Sequence, residues 1–205
     1  MNDPHKFEKL KSYFSQLLPT MTEESWNITE NVLSVRTFKK GEFIAREGQL
    51  CDHVSFLNYG LARVYYLVDG KEKIVSFCNE LNYICDYESF LSRKPAHSFV
   101  QLLENAEVVD ISFKDLQMLY QVVPEANILG RRIAEQLFLD MCNGTRAEVK
   151  ESILDRYSKL ISEHPWLPQR VPQYMIASYL GITPEAFSRI KSRVSKQKEV
   201  PVLVY

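Results

Sequence analysis

Residues 171–191, VPQYMIASYLGITPEAFSRIK, decide how this chain is read. Ala177 is small where two helices would cross, and Gly181 follows four residues later, at a turn. Thr183 is a good N-cap and Pro184 takes the first helical position behind it. Leu180 and Ile182 are apolar on either side of the glycine, and Phe187 and Ile190 give the second helix a side to bury. Two short helices around a tight turn in this pattern predict a helix-turn-helix, whose usual partner is double-stranded DNA. Amphipathic helix pairs also occur in proteins that never touch DNA, so charge must separate the two cases. Arg189, Lys191, Arg193, Lys196 and Lys198 lie in or just beyond the second helix, and Glu185 is the acidic residue inside the motif. The whole chain has a formal net charge of -1, so this cationic cluster is concentrated there and not part of a general basic character.

The bulk properties are compatible with that reading. A chain of 205 residues holds one medium domain or two small ones, and a hydrophobic fraction of 45% supplies a core. Eleven tyrosines and eleven phenylalanines fit a sheet-rich portion. No apolar run is long enough to span a membrane, and the N-terminus carries no apolar signal core. A cytoplasmic location without a membrane partner is the expectation. Cys51, Cys78, Cys85 and Cys142 form no C-x-x-C pair and no histidine clusters with them, so neither a zinc site nor a disulfide framework is expected. They read as small buried hydrophobes.

Outward from the motif, the texture of the chain changes twice. Residues 5–18 (HKFEKLKSYFSQLL) place Phe7, Leu10, Phe14, Leu17 and Leu18 near helical spacing, with Pro19 as the stop. A second helix carrying Trp26 and Ile28 begins after Thr20 or Thr22, and Glu23 three residues past Thr20 resembles a capping box. From Val32 to Ile111, short apolar and aromatic runs are punctuated by glycines, and Asp69-Gly70 between two such runs is a hairpin signal. Many short strands with glycine turns predict a compact antiparallel barrel or jelly roll. A short helix within 83–91 interrupts it.

Helices resume at Phe113, with Leu116, Leu119 and Tyr120 on one face and Pro124 as the break. The spacing then predicts a helix over 125–142 with Leu129, Ile133, Leu137 and Met141 in a stripe that Ile128 and Phe138 widen. That stripe packs on its own domain or pairs with a second subunit. Its place between a barrel and a DNA-binding unit favours dimerisation. Gly144 interrupts or ends the helix, another runs over 148–161 with Val149, Ile153, Tyr157 and Leu160 on one side, and 164–168 is a loop. Residues 199–205 read as a terminal strand, with Pro201 favouring an edge.

In this order the segments 39–48 (KKGEFIAREG), 56–64 (FLNYGLARV) and 87–91 (YESFL), the long central helix and the terminal motif resemble the cyclic-AMP receptor/fumarate-nitrate regulator (Crp/Fnr) superfamily of bacterial transcription factors. Residues 176–185 (IASYLGITPE) look like the branch common in Bacteroidetes. The resemblance implies an α+β fold: an N-terminal cyclic-nucleotide-binding-type antiparallel β-roll over 1–123, a dimerisation helix over 124–145, and a C-terminal winged helix-turn-helix over 146–205. It also implies a homodimer on a roughly palindromic operator, with RNA polymerase as a further partner.

The same resemblance casts the effector loop as degenerate. Members that bind cyclic AMP carry a Gly-Glu pair for the ribose and, about ten residues on, an Arg-Ser or Arg-Thr for the phosphate. In 82–98 (NYICDYESFLSRKPAHS), Cys85 and Asp86 replace the first pair and Ala96 and His97 stand at the second. A buried cyclic phosphate without its arginine loses its strongest charge-assisted partner. Arg93 and Lys94 are the candidate stand-ins from a shifted position. Cyclic AMP is therefore not expected to bind in the usual way, no cofactor is expected, and an unknown small effector stays open. The cysteine cluster of the family's iron-sulfur members has no counterpart before Cys51, and His53 and His97 read as structural or exposed, not as haem ligands.

For DNA, the resemblance places Pro184, Glu185 and Arg189 at the family's base-reading positions. Many members have arginine where Pro184 stands, so one guanine contact is lost here. Glu185 can accept from cytosine, Arg189 can bond guanine bidentately or hold a phosphate, and Ser188 can reach a base or a phosphate. Lys191, Arg193 and Lys196 suit phosphates, and Thr183 caps the helix while its N–H approaches one. No catalytic triad, metal motif or phosphate loop argues for an enzyme. The competing reading is a small-molecule- or partner-binding β-roll protein whose helix-turn-helix has lost DNA binding.

Overall fold

The computed structural model describes residues 6–198, with side chains through residue 194. The terminal strand expected over 199–205, and with it any wing, lies outside the described residues. The chain divides into two compact units. The first comprises the described residues up to Leu67 together with Val75–Leu137; the second comprises Val68–Ile74 and the described residues from Phe138.

The first unit opens with helices α1 (Glu8–Leu17) and α2 (Glu23–Glu30). Thr22, not Thr20, caps α2, its hydroxyl accepting from the Ser25 N–H. The capping box read from Thr20 and Glu23 is thus incorrect: Glu23 is the first helical residue behind Thr22, too early to close a box. Eight strands follow: β1 (Ser34–Phe38), β2 (Phe43–Ala45), β3 (His53–Tyr59), β4 (Ala62–Val68), β5 (Lys71–Cys78), β6 (Tyr83–Ile84), β7 (Phe99–Leu102) and β8 (Ala106–Ser112), with the short helix α3 (Tyr87–Ser92) after β6. They form two four-stranded sheets, in the orders β1-β8-β3-β6 and β2-β7-β4-β5. Asp69 and Gly70, at φ 51° and 72°, make the tight turn that joins β4 to β5.

In the sheet β1-β8-β3-β6, the central strands β3 and β8 are covered on both faces, which is why apolar residues fall next to one another in them. Neighbouring residues of a strand point to opposite faces. Leu57 and Val108 belong to a core with Ala62, Val100 and Leu102 of the other sheet, whereas Phe56 and Val109 pack with Phe7, Leu10 and Trp26 of the N-terminal helices. Each such large apolar residue contributes about 1.5–3 kcal/mol on burial. The buried Asp110 is satisfied within this sheet by ion pairing with Arg36 and by the Ser55 hydroxyl. The cysteines Cys51, Cys78 and Cys85 are free and belong to or pack against the core between the sheets.

Helix α4 (Phe113–Val122) follows β8, capped by Ser112, and Pro124 then serves as the first residue of α5 (Pro124–Lys150). Gly144 does not end α5, contrary to expectation; a single glycine costs only about 1 kcal/mol in a helix interior, and the flanking residues carry the helix through it. The break falls instead at Ser152, whose hydroxyl accepts from the Asp155 N–H and starts α6 (Ile153–Glu163). Val149 accordingly sits on α5 and is 80% exposed, not on the buried side of the following helix. Within the expected loop 164–168 a further short helix begins, α7 (Leu167–Arg170). The second unit is completed by α8 (Gln173–Leu180) and α9 (Pro184–Lys198).

Candidate nucleic-acid interface and the effector loop

The α8–α9 corner is built by local backbone chemistry. At the end of α8, the Gly181 N–H donates to the Ser178 carbonyl and the Ile182 N–H to the Ala177 carbonyl, both at 3.0 Å. That pair of bonds requires a left-handed residue at the turn, and Gly181 adopts φ +73° without the Cβ penalty other residues would meet. Thr183 then caps α9, its Oγ1 accepting from the Ala186 N–H at 3.2 Å. Hydrogen bonds from its own backbone N–H and from the Thr183 hydroxyl hold the Glu185 carboxyl below the usual carboxylate range.

Packing fixes which side of α9 faces outward. Phe187 is 1% exposed and meets the Tyr157 ring of α6 edge-on, with centroids 5.1 Å apart. Val194 is buried on the same side, and Met175, Ile176, Ala177 and Leu180 bury the facing side of α8. The exposed stripe of α9 is Pro184, Glu185, Ser188, Arg189, Ser192 and Arg193. Five of the residues named from the sequence, Thr183, Glu185, Ser188, Arg189 and Arg193, are thus exposed together. Lys191 is half-buried, off that stripe. Lys196 lies within α9, but its side chain is outside the described residues. Ser192 was missed by the sequence reading; it lies one turn beyond Ser188, to whose carbonyl its hydroxyl donates at 3.1 Å. The i, i+4 spacing from Ser188 was the signal available. On α8, Tyr174 is 56% exposed near the helix start and was likewise missed.

The effector loop is closed on itself. Asp86 caps α3, accepting from the Ser89 N–H at 2.9 Å, while its other oxygen accepts from the Ser98 N–H at 3.0 Å and the Ser98 hydroxyl at 2.6 Å. Burial pushes this carboxyl up, but the hydrogen bonds from Ser98, Ser89 and the His97 backbone outweigh it and hold the group below its ordinary value. An acid so engaged has no capacity to spare for a ribose hydroxyl. Burial, with help from the neighbouring Cys51, pushes the Cys85 thiol well up. Arg93 caps the end of α3 at φ 59°, pairs with Asp52, donates to the Phe90 carbonyl at 3.2 Å and lies 4.2 Å over the Phe113 ring. Ala96 is buried, bonded through its backbone to Gly48 and Gln49, and both Lys94 and His97 are exposed. The two cations considered as stand-ins are therefore turned to other tasks or to solvent.

The stripe on α5 divides along its length. Leu129 is buried in the first unit and Ile133 half-buried, whereas Leu137 is 39%, Phe138 60% and Met141 62% exposed. No described helix is long and apolar enough to cross a membrane, and among the described residues no group of three or more His, Cys, Asp and Glu side chains is placed to hold a metal ion.

Residues 35–122 match the family model of the cyclic nucleotide-binding domain. No curated protein matches the chain. Among solved structures, FixK2 from Bradyrhizobium japonicum is similar at 17% identity and a TM-score of 0.71, over 85% of this chain and 90% of that one. The c-di-GMP-responsive global regulator CLP of Xanthomonas campestris is similar at 15% identity and a TM-score of 0.68, over 89% and 96%. The regulator DNR from Pseudomonas aeruginosa is similar at 21% identity and a TM-score of 0.54, over 96% and 90%. The chain shares its fold with these solved structures. The span matched to the cyclic nucleotide-binding domain runs from β1 through α4, and the loop 82–98 lies inside it.

Proposed function

We propose that this chain is a sequence-specific DNA-binding transcription regulator that acts as a homodimer. The observation that carries the reading is the outward stripe of α9. A capped helix start, Glu185, Ser188 and Arg189 share one face with Arg193, behind a corner locked by Gly181 and Phe187. A helix of that kind presents its first turns to base edges in the major groove and its later cations to phosphates. In this reading α8–α9 is a helix-turn-helix, residues 146–205 are the DNA-binding domain, and residues 1–123 are a β-roll sensor. The helix over 124–145 pairs two protomers. Leu129 and Ile133 anchor it to its own sensor domain, while Leu137, Phe138 and Met141 supply the partner-facing surface. The closed loop around Asp86 supports a sensor that does not take cyclic AMP in the usual way. The fold's cytoplasmic setting and an RNA polymerase contact belong to the same reading.

The test is selection of bound duplexes from fragmented genomic DNA, with the affinity of the winner measured at two salt concentrations. Enrichment of an inverted repeat is the expected outcome. About six phosphate contacts would lower affinity roughly a thousandfold between 50 and 200 mM salt. Absence of enrichment together with salt-insensitive binding would refute the proposal.

A further inference from the structure

A cavity lies on the outer face of the sheet β1-β8-β3-β6, and Tyr83 and Tyr87 of the 82–98 loop help to line it. It has a volume of about 90 Å³ and sits between that sheet, α1, the α2 region, α4 and the first turns of α5, all within the first unit. Its walls are aliphatic and aromatic side chains, among them Phe14, Leu119, Leu129 and Ile133, and no charged side chain lines it. Native interiors are packed too well for a void of this size to be routine, and a wall so apolar gives water few of the partners it needs.

Four hydroxyls interrupt the apolar lining: those of Tyr83, Tyr87, Tyr120 and Thr29, the last of which donates to the Ser25 carbonyl at 2.8 Å. The Tyr83 hydroxyl is buried without a hydrogen-bond partner. Buried hydroxyls are nearly always paired, so this one marks a position where a partner group belongs. Tyr120 closes over α5 because residue 130 is glycine; a Cβ there would lie 2.3 Å from the Tyr120 hydroxyl and 2.9 Å from its ring. Gly130 thus permits the close approach that shapes this wall.

We propose that this cavity is a binding site for a small uncharged molecule, one aromatic ring in size, that carries a single hydroxyl or carbonyl group to pair with Tyr83. The apolar lining excludes carboxylates and phosphates, because an ion would lose its hydration with no counter-charge in return. One ring is the upper limit of the space: a dry cavity of about 150 Å³ admits benzene, and this one, at about 90 Å³, is smaller and only partly enclosed. Occupancy would tie the sheet and α1 to the start of α5. Any effect of this on dimerisation or DNA binding rests on the regulator reading; the binding site does not.

The full chain, methyl-labelled at leucine and isoleucine, is titrated with 4-methylphenol, toluene and 4-methylbenzoate and followed by NMR. Saturable shifts at the Leu129 and Ile133 methyls are expected with 4-methylphenol, at a Kd on the order of 1 mM or tighter. Toluene should bind roughly fivefold more weakly, the worth of one hydrogen bond, and 4-methylbenzoate should leave these methyls unmoved. Tyr83→Phe should bring 4-methylphenol down to the affinity of toluene while toluene binding persists, which also shows the variant is folded. Ile133→Phe, which fills the space, should abolish both. Absence of saturation with 4-methylphenol and toluene would overturn the proposal. So would an unchanged phenol preference in Tyr83→Phe, or unchanged shifts in a folded Ile133→Phe. Because the readout is ligand binding in the free protein, failure of DNA binding would leave this result standing, and the reverse.

Discussion

Replacing Arg189 and Arg193 one at a time by alanine tests how α9 meets DNA. Both are exposed on one face and four residues apart, so Arg193 stands about 6 Å further along the helix from the capped end. On the proposed reading, the N-terminal turns of α9 approach base edges, so Arg189 would meet a base and Arg193 the backbone. In a homodimer each substitution removes two contacts. For Arg189→Ala the loss is about 1–3 kcal/mol per half-site, hence about 2 kcal/mol at the low end, roughly thirtyfold on the operator and little on a shuffled duplex. For Arg193→Ala both duplexes weaken alike and the salt exponent falls by about 1.8, from 0.9 for each of two phosphates. Between 50 and 200 mM salt the parent would then lose about twelvefold more affinity than the variant, since four raised to the power 1.8 is close to twelve. Exposure keeps the stability cost of either change within about 0.5 kcal/mol, so thermal melting serves as the folding control. Fluorescence anisotropy with both duplexes across a salt series reads all of this. Equal loss on operator and shuffled duplex for Arg189→Ala, with a reduced salt slope, would refute its base contact; no loss for either variant would refute the placement of α9 on DNA.

Three further outcomes are expected. Asp86 is held below its ordinary pKa in the fold, so its contribution is full at neutral pH and is lost as pH falls below about 4 through the folded-state value. Asp86→Asn should cost about 1–3 kcal/mol at pH 7 and flatten that acid limb in urea unfolding; an unchanged limb would show that Asp86 carries no linkage. Cyclic AMP should leave operator affinity unchanged, and saturable micromolar binding by calorimetry would contradict the closed state of the loop. Phe138→Glu, at an exposed position of α5, should weaken self-association by roughly tenfold or more in light scattering while unfolding is unchanged; an unaltered dimer would move the interface elsewhere.

Much of this was legible residue by residue. Thr183-Pro184 behind Gly181 specifies a helix stop and a helix start through backbone bonds alone, and the structure forms both where the residues stand. Asp69-Gly70 specifies a tight turn in the same way. Where competing local signals were close in strength, the reading slipped. Thr20 and Thr22 are both plausible caps; Thr22 caps the helix, and Trp26 one turn on packs with Phe7 and Leu10. Gly144 weakens a helix by too little to end it, whereas Ser152, which caps α6, marks the true break.

The sequence by itself determined most of the elements and many of their ends, because hydrophobic period, caps and turn residues act over a few neighbours. It also determined the charge along α9. The tertiary structure decided what each side chain had left to offer. Asp86 and Arg93 are polar residues in a plausible pocket, yet Ser98 and Asp52 consume them, and those partners lie twelve and forty-one residues away. The α5 stripe has one spacing throughout, but packing against the sheet domain buries Leu129 and leaves Met141 exposed. The cavity beside Tyr83 has no sequence signature, since its walls come from segments as distant as Leu10 and Ile133. A void is a property of how surfaces fail to meet, and only the assembled fold contains it.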